Sequence, residues 1–307
     1  MNPYSYSKTT VIANMQTDVK TKHWVRYAVD FPTAHPTIYS EYNRVRGLYY
    51  KPSHKNQCPL AVMVHGMGDF SAVPWKWLAP SLAKRGIAAF ILYLPFHSTR
   101  MPEVIRKRIP NLSSQEWFEG CQLSVIDIFQ VLDWAAERPE IDIAHNAVMG
   151  ISYGGVVSAI AMGNDPRIKA GVFIVTGGNS GKINRLSKSK AYSNGHVLSE
   201  EEFQKEQTAY QEYLKAVKSS GFENVNPTDL TFQTDPMTFA HNLINQPLLM
   251  LNATRDKYIP REAVVDFWEA SGKPKLKWFS AGHITIWLYY PLIAHLSTTF
   301  LKSNFKK

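Results

Sequence analysis

Two hydrophobic patterns alternate along this chain. Unbroken apolar runs occur at "PLAVMVHG" from Pro59, "IAAFILYLPF" from Ile87, "AGVFIVTGG" from Ala170 and "PLLMLNATRD" from Pro247. Such runs predict strands buried on both faces of a sheet. Between them, apolar residues recur every three or four positions in "PWKWLAPSLAKRG", "SSQEWFEGCQLSVIDIFQVLDWAAERP", "YGGVVSAIAMG" and "PREAVVDFWEASG", which predicts amphipathic helices. The second of these opens with a capping box, Ser113 to Glu116, and ends near Pro139. "DIAHNAVMGIS" and "LKWFS" are further strands, and a last helix runs from near Pro291 to about Ser303. Upstream, "HWVRYAVDF" and "NRVRGLYYKPS" have apolar residues at every second position and flank the turn "PTAHPT", which predicts an antiparallel pair at one sheet edge. Strands alternating with helices give the fold class: α/β, with a mostly parallel central sheet, helices on both faces and one domain spanning residues 1–307.

The alternation lapses between about Gly178 and Asn245. That interval holds the polar stretch "NSGKINRLSKSKAYSNGH" and a helix with its own capping box, Ser199 to Glu202, along which Phe203, Tyr210, Leu214 and Val217 share a face. An insertion of this size in a regular fold, residues 178–245, is a candidate helical lid over the site.

Composition narrows the classes. Hydrophobic residues at 45% and charged residues at 19% describe a globular chain with material for a large core. No run approaches the roughly 18 apolar residues of a membrane span, and the start "MNPYSYSKTTVIANMQ" lacks the apolar core of a secretory signal. These features predict a cytoplasmic chain with no membrane partner. Cys58 and Cys121 stand alone, without a C-x-x-C spacing, so they are read as packing residues and no metal site is expected. The net charge of +9 raises nucleic acid as a partner, but no reading motif accompanies it, so none is expected. A solvated basic face fits better, with a preference for anionic substrates as its functional form. A homo-oligomer stays open.

Chemistry concentrates in "VMGISYGGVV", residues 148–157. Ser152 falls where a strand runs directly into a helix, so its hydroxyl should emerge at the carboxyl edge of the sheet. Gly150 and Gly154 suit a tight turn in which side chains at those positions would strike the neighbouring strand and helix. A serine hydroxyl needs a base, and the base needs an orienting group. Asp256 follows the strand "LLMLNA" and His283 follows "LKWFS", so both stand at the same sheet edge. Asp235 and Glu262 compete with Asp256, but helix capping and a helix first turn account for them.

With those residues in view, the chain resembles the α/β-hydrolase superfamily. "GISYGG" resembles its nucleophile turn, "HGMGD" its oxyanion loop, "NATRDKYIP" its acid loop and "AGH" its histidine loop. "LYLPFHSTR" and "DPMTFAHNL" make it most similar to the serine esterase and dienelactone-hydrolase-like branch that includes acetyl xylan esterases of bacteria. The resemblance implies Ser152 as nucleophile, His283 as base and Asp256 as its orienting acid. Backbone N–H groups of Tyr153 and Met67 would form the oxyanion hole, with Gly68 as the alternative to Met67. No cofactor is implied.

The reaction then expected is hydrolysis of short- to medium-chain carboxylic esters, a small-molecule substrate class, through an acyl-enzyme. An amidase, peptidase or thioesterase on the same three residues, or a catalytically silent binding protein, is the alternative. Phe70, Trp75, Phe96, His97, Met101 and Trp287 are the bulky groups expected near the centre. Of these, Phe96, His97 and Trp287 are the candidate substrate contacts, with Phe203 and Tyr210 as a roof. Arg100 and Arg106 to Arg108 are expected at the rim, where they would draw anionic esters.

Overall fold

The computed structural model describes residues 2–8, 10–67, 72–97, 99–189 and 198–305. Nine strands form one sheet in the order β1-β2-β3-β5-β4-β6-β7-β8-β9. They are Asn14–Lys20 (β1), Trp24–Pro32 (β2), Arg44–Pro52 (β3), Cys58–Val64 (β4), Ala88–Tyr93 (β5), Ile141–Ile151 (β6), Ile168–Ile174 (β7), Leu248–Ala253 (β8) and Lys275–Phe279 (β9). The first three pair antiparallel, as do β3 and β5, and every pair from β5 onward is parallel. The predicted opening pair, β2 and β3, is therefore present, but β1 lies outside it and forms the edge. Its sequence, NMQTDVK, is largely exposed, which is why no apolar pattern announces it.

Along β4 alternate residues serve opposite faces. Leu60, Val62 and Val64 enter one core cluster, Ala61 and Met63 the other. Helices α1 (Val73–Ala83) and α8 (Tyr290–Asn304) cover the second face, burying Trp75, Leu78, Leu82, Ile293 and Leu301. Helices α3 (Ser114–Ala136), α4 (Tyr153–Asn164) and α7 (Arg261–Ala270) cover the first. Both predicted capping boxes form: Ser113 and Glu116 satisfy each other's backbone donors ahead of α3, and Ser199 and Glu202 do so ahead of α6 (Glu200–Ser220). The loop expected between β5 and α3 contains a short helix, α2 (Glu103–Arg106), and a 3-10 turn, Ile109–Asn111.

The interval after β7 divides in two. Its later part, the 3-10 segment Pro236–Leu243, is built into the main core through Phe239, Ala240 and Leu243. Helix α6 packs Tyr210, Tyr213 and Val217 on Phe232 in a small core of its own. Asp235 joins the two regions. Its carboxylate accepts the N–H groups of Asn179 (3.0 Å), Ser180 (2.5 Å) and Met237 (2.9 Å), and the Ser180 hydroxyl at 2.7 Å. The short helix α5 (Ser180–Leu186) is thereby tied to the Pro236–Leu243 segment. The middle of the polar stretch, residues 190–197, lies outside the described residues.

Candidate active site

Ser152 lies at the carboxyl edge of the six parallel strands, β5-β4-β6-β7-β8-β9. The residue leaves β6, in the middle of the sheet, and is the N-cap of α4, with its backbone at φ 53° and ψ −124°. Positive φ in a residue with a side chain is strained, and it persists only where the surroundings enforce it. The enforcement is visible on both sides. A Cβ on Gly150 would fall 2.2 Å from the carbonyl oxygen of Gly154, and one on Gly154 would fall 2.2 Å from that of Val64 on β4. Only glycines allow the strand to turn into the helix this sharply, and the turn projects the serine side chain outward.

The Ser152 hydroxyl lies 2.9 Å from His283 Nε2, and His283 Nδ1 lies 2.7 Å from an Asp256 carboxylate oxygen. Asp256 stands just past β8 and His283 just past β9, so the sheet brings together residues 131 apart in sequence. The other Asp256 oxygen accepts the N–H groups of Tyr258 (2.8 Å) and Ile259 (3.0 Å), which fixes the carboxylate plane. The Tyr258 ring packs on the imidazole with centroids 4.8 Å apart. With Nδ1–H facing the carboxylate, Nε2 is the ring's acceptor toward the hydroxyl, so the three groups form a hydrogen-bonded chain that ends on a half-buried serine.

Opposite these three groups runs the segment after β4. Gly66 passes beside the serine, close enough that a Cβ on it would lie 3.4 Å from Ser152 Cβ. Met67 follows, partly buried against the core. Tyr153 opens α4, where first-turn N–H groups have no partner within the helix and the helix dipole favours negative charge. Gly68 and Phe70 lie outside the described residues.

His65, the first residue of "HGMGD", anchors this loop, a role the sequence does not assign it. It is fully buried; its Nε2 accepts the Leu94 N–H at 3.0 Å, so the proton sits on Nδ1 and is donated to the Gly66 carbonyl at 2.8 Å. The side chain thus clamps the loop to the end of β5. Burial lowers its pKa to about 4, which keeps the ring neutral. The available signal was a lone polar residue ending an otherwise apolar run.

The expected pocket residues are distributed differently. Phe96 is buried, stacking on Trp117 and meeting Tyr153 edge-on. His97 is also buried, stacked 4.1 Å from Tyr93, with Nδ1 accepting the Thr99 N–H at 3.2 Å. Trp287 packs edge-on to Trp75 on the other face of the sheet, while Met101 is core. Tyr210 points into the small core of α6 and so forms no roof, and the Phe203 ring lies under the Arg185 guanidinium. Arg100 corrects the expected rim. It has no exposed surface, and its guanidinium bonds Asp127 (2.6 Å) and the carbonyls of Tyr93 (2.7 Å) and Tyr42 (3.0 Å). Arg106 and Arg108 pair with Glu103 and Glu116 on the surface. A cavity of about 330 Å³ opens behind Phe96, lined by Tyr39, Tyr42, Ile105, Leu112 and Leu123, and none of Ser152, Asp256 or His283 borders it.

A parallel sheet with an antiparallel edge, a serine on a forced turn after its central strand, and acid and histidine on the next strand ends together define an α/β-hydrolase fold. The chain belongs to the family described as alpha/beta hydrolase domain containing 18, whose model matches residues 7–295. Solved structures of similar fold include an acetyl xylan esterase from Paenibacillus sp. R4, 18% identical with a TM-score of 0.70, the match covering 97% of this chain and 89% of that one. A cold-adapted esterase from an Arctic intertidal metagenomic library is 13% identical with a TM-score of 0.59, covering 94% and 99% of the two chains. An acylaminoacyl peptidase from Pyrococcus horikoshii is 18% identical with a TM-score of 0.63, covering 92% of this chain and 42% of that one. No curated protein matches the sequence.

Proposed function

We propose that the protein is a serine carboxylesterase that cleaves short- to medium-chain carboxylic esters. The relay from Ser152 Oγ to His283 Nε2, and from His283 Nδ1 to Asp256, carries the reading. In the first step the Ser152 oxygen attacks the ester carbonyl carbon as its proton passes to His283. Asp256 holds the imidazole tautomer and stabilises the imidazolium. Charge that develops on the carbonyl oxygen is met by the N–H of Tyr153, at the start of α4, and by that of Met67 in the loop His65 anchors. The protonated His283 then gives its proton to the departing alkoxide, leaving an acyl-serine. Water attacks that ester with His283 as base, which releases the acid and restores the hydroxyl.

The Tyr258 ring packs on the His283 imidazole beside the serine, and the cavity behind Phe96 does not reach it, so short acyl chains are the expected substrates. Each methylene that fits adds up to about 0.8 kcal/mol, so rates rise with chain length and then fall once the space is full.

The test is a fluorophosphonate adduct read by intact mass and mapped to its peptide, followed by acetyl, butyryl, octanoyl and palmitoyl esters and a matched anilide. The expected result is an adduct on Ser152, lost in Ser152→Ala together with about 10⁴-fold or more of the turnover, and a kcat/KM maximum at the short esters. A larger kcat/KM on the anilide makes the protein an amidase. No adduct and no turnover on any substrate ends the catalytic reading.

A further inference from the structure

The residues immediately after His283 turn their apolar side chains into solvent. Ile284 is 69% exposed and Leu288 82%, and Tyr289 and Leu292 are partly exposed beside them. Helix α1 extends this face. Trp77 is 53% exposed, and Tyr290 bridges to it, with ring centroids 6.1 Å apart and its hydroxyl donated to the Trp77 carbonyl at 2.8 Å. Isolated exposed apolar residues are ordinary, but a contiguous group of large ones marks a surface that meets something else. None of them packs into the site, and the face begins one residue from the catalytic histidine.

Charge indicates what it meets. The face is built from two stretches without a single acidic residue, residues 70–102 and 270–307, and the second contains six lysines. Lys277 lies over the Phe279 ring, 5.9 Å from its centroid, and Phe279 in turn packs against Tyr289 at 5.2 Å. Arg255 donates to the Ser280 carbonyl at 2.7 Å beside the histidine loop. Lys257 follows Asp256, and the backbone of Lys188 is bonded to it at 2.8 Å. Lys76 precedes Trp77. Among the described residues none of these five cations is in an ion pair. Lys277, beside Phe279 and Tyr289, and Lys76, next to Trp77, therefore set unpaired positive charge against the aliphatic tips, with Arg255 at the histidine loop.

We propose that this face, Trp77 with Ile284, Leu288, Tyr289 and Leu292, docks the protein on an anionic phospholipid surface, with the mouth of the Ser152 site turned toward the lipid. Aliphatic tips enter the acyl boundary, Trp and Tyr rings sit at the headgroup level, and the lysines and Arg255 meet the phosphates. Among the described residues no helix is long and apolar enough to cross a membrane, so the contact is peripheral. A second copy of the chain is the competing occupant. Two copies meeting here face to face would set one group of cations against the other, whereas an anionic surface complements them.

The experiment uses the full chain carrying Ser152→Ala, so that binding is read without hydrolysis and independently of the esterase reading. Co-sedimentation is measured with vesicles of phosphatidylcholine alone and of phosphatidylcholine mixed with phosphatidylglycerol, at low and high salt. Partitioning onto the anionic vesicles is expected to exceed that onto the neutral ones by about tenfold or more, since each cation near the surface contributes, and to weaken as salt screens it. Leu288→Ser with Leu292→Ser, and separately Lys277→Glu, each lower it by about tenfold. The same substitutions placed in the chain with Ser152 intact leave turnover of a soluble short ester unchanged, which shows that they fold. Equal or absent binding to the two vesicles overturns the proposal. So does a dimer in sedimentation equilibrium that Leu288→Ser dissolves, because a second copy then covers the face.

Discussion

Asp256 and Asp235 show how two carboxylates that look alike in sequence separate by what each accepts. Asp256 divides its oxygens between two backbone donors and the His283 ring, so one oxygen holds the loop and the other is committed to the imidazole. An amide there keeps the shape, but it can present a donor to Nδ1 and so favours the wrong tautomer. Asp256→Asn is therefore expected to lower ester turnover by at least about 10²-fold while the urea midpoint stays close to wild type. Steady-state kinetics and a denaturation curve on the same preparation check it. If turnover survives, a different group orients His283. Glu262 sits in the first turn of α7, where the helix dipole accounts for it, and Glu262→Gln should leave turnover unchanged and lower the urea midpoint only slightly.

The elements themselves follow from short-range rules, whereas the way they are fastened does not. Strand β6 and helix α4 meet without a loop because two glycines and a strained serine permit it. The segment after β7 is held by a different device, the single buried carboxylate of Asp235 with donors from Asn179, Ser180 and Met237. Asparagine can accept on one oxygen only and would turn an N–H toward the Ser180 donors. Asp235→Asn is expected to cost about 2–3 kcal/mol of stability, the penalty of leaving buried donors unpaired, with little change in kcat on a small ester. Urea unfolding together with kcat separates this from a catalytic role, since a loss confined to kcat would place Asp235 in the chemistry. Of the expected helix face of Phe203, Tyr210, Leu214 and Val217, the last three pack in the small core with Phe232, joined by Tyr213, while Phe203 lies under the Arg185 guanidinium.

For the whole molecule, the buried polar groups set the response to acid. His65 has its pKa lowered to about 4 by burial, against about 6.5 in an unfolded chain. Between those values the unfolded state binds the extra proton and the folded state does not. Stability from this group is therefore complete above about pH 6.5, falls as pH drops toward about 4, and loses nothing further below that. The full effect approaches about 3 kcal/mol. Urea midpoints measured at about pH 7.5 and about pH 4.5 should show a fall in wild type. That fall should be smaller in His65→Asn, which starts less stable because the Leu94 and Gly66 bonds are lost. Equal falls in the two proteins would mean that His65 does not carry the response. Arg100 belongs to the same scale, since it lies in the interior with Asp127, where breaking the pair strands a charge.

Read alone, the sequence determined the elements whose signals are local. Buried strands are apolar without interruption, helix starts carry their capping boxes, and the turn at Ser152 is written in Gly150 and Gly154. The strand-by-strand order also placed Ser152, Asp256 and His283 at one sheet edge, because parallel strands all present their carboxyl ends on the same side. Tertiary structure alone decided what those local signals cannot encode. Strand β1 pairs by backbone while its side chains face water, so its composition reads as loop. Whether a long polar side chain ends in solvent or in the core depends on partners far off in the chain. Arg100, a rim cation by its place in the sequence, is buried because Asp127, Tyr93 and Tyr42 supply its acceptors. Arg255 and Lys257 flank Asp256 because the turn after β8 puts them there, and Lys277 is exposed on β9. Distance along the chain hides such pairings, and the sheet, by setting distant strand ends side by side, creates them.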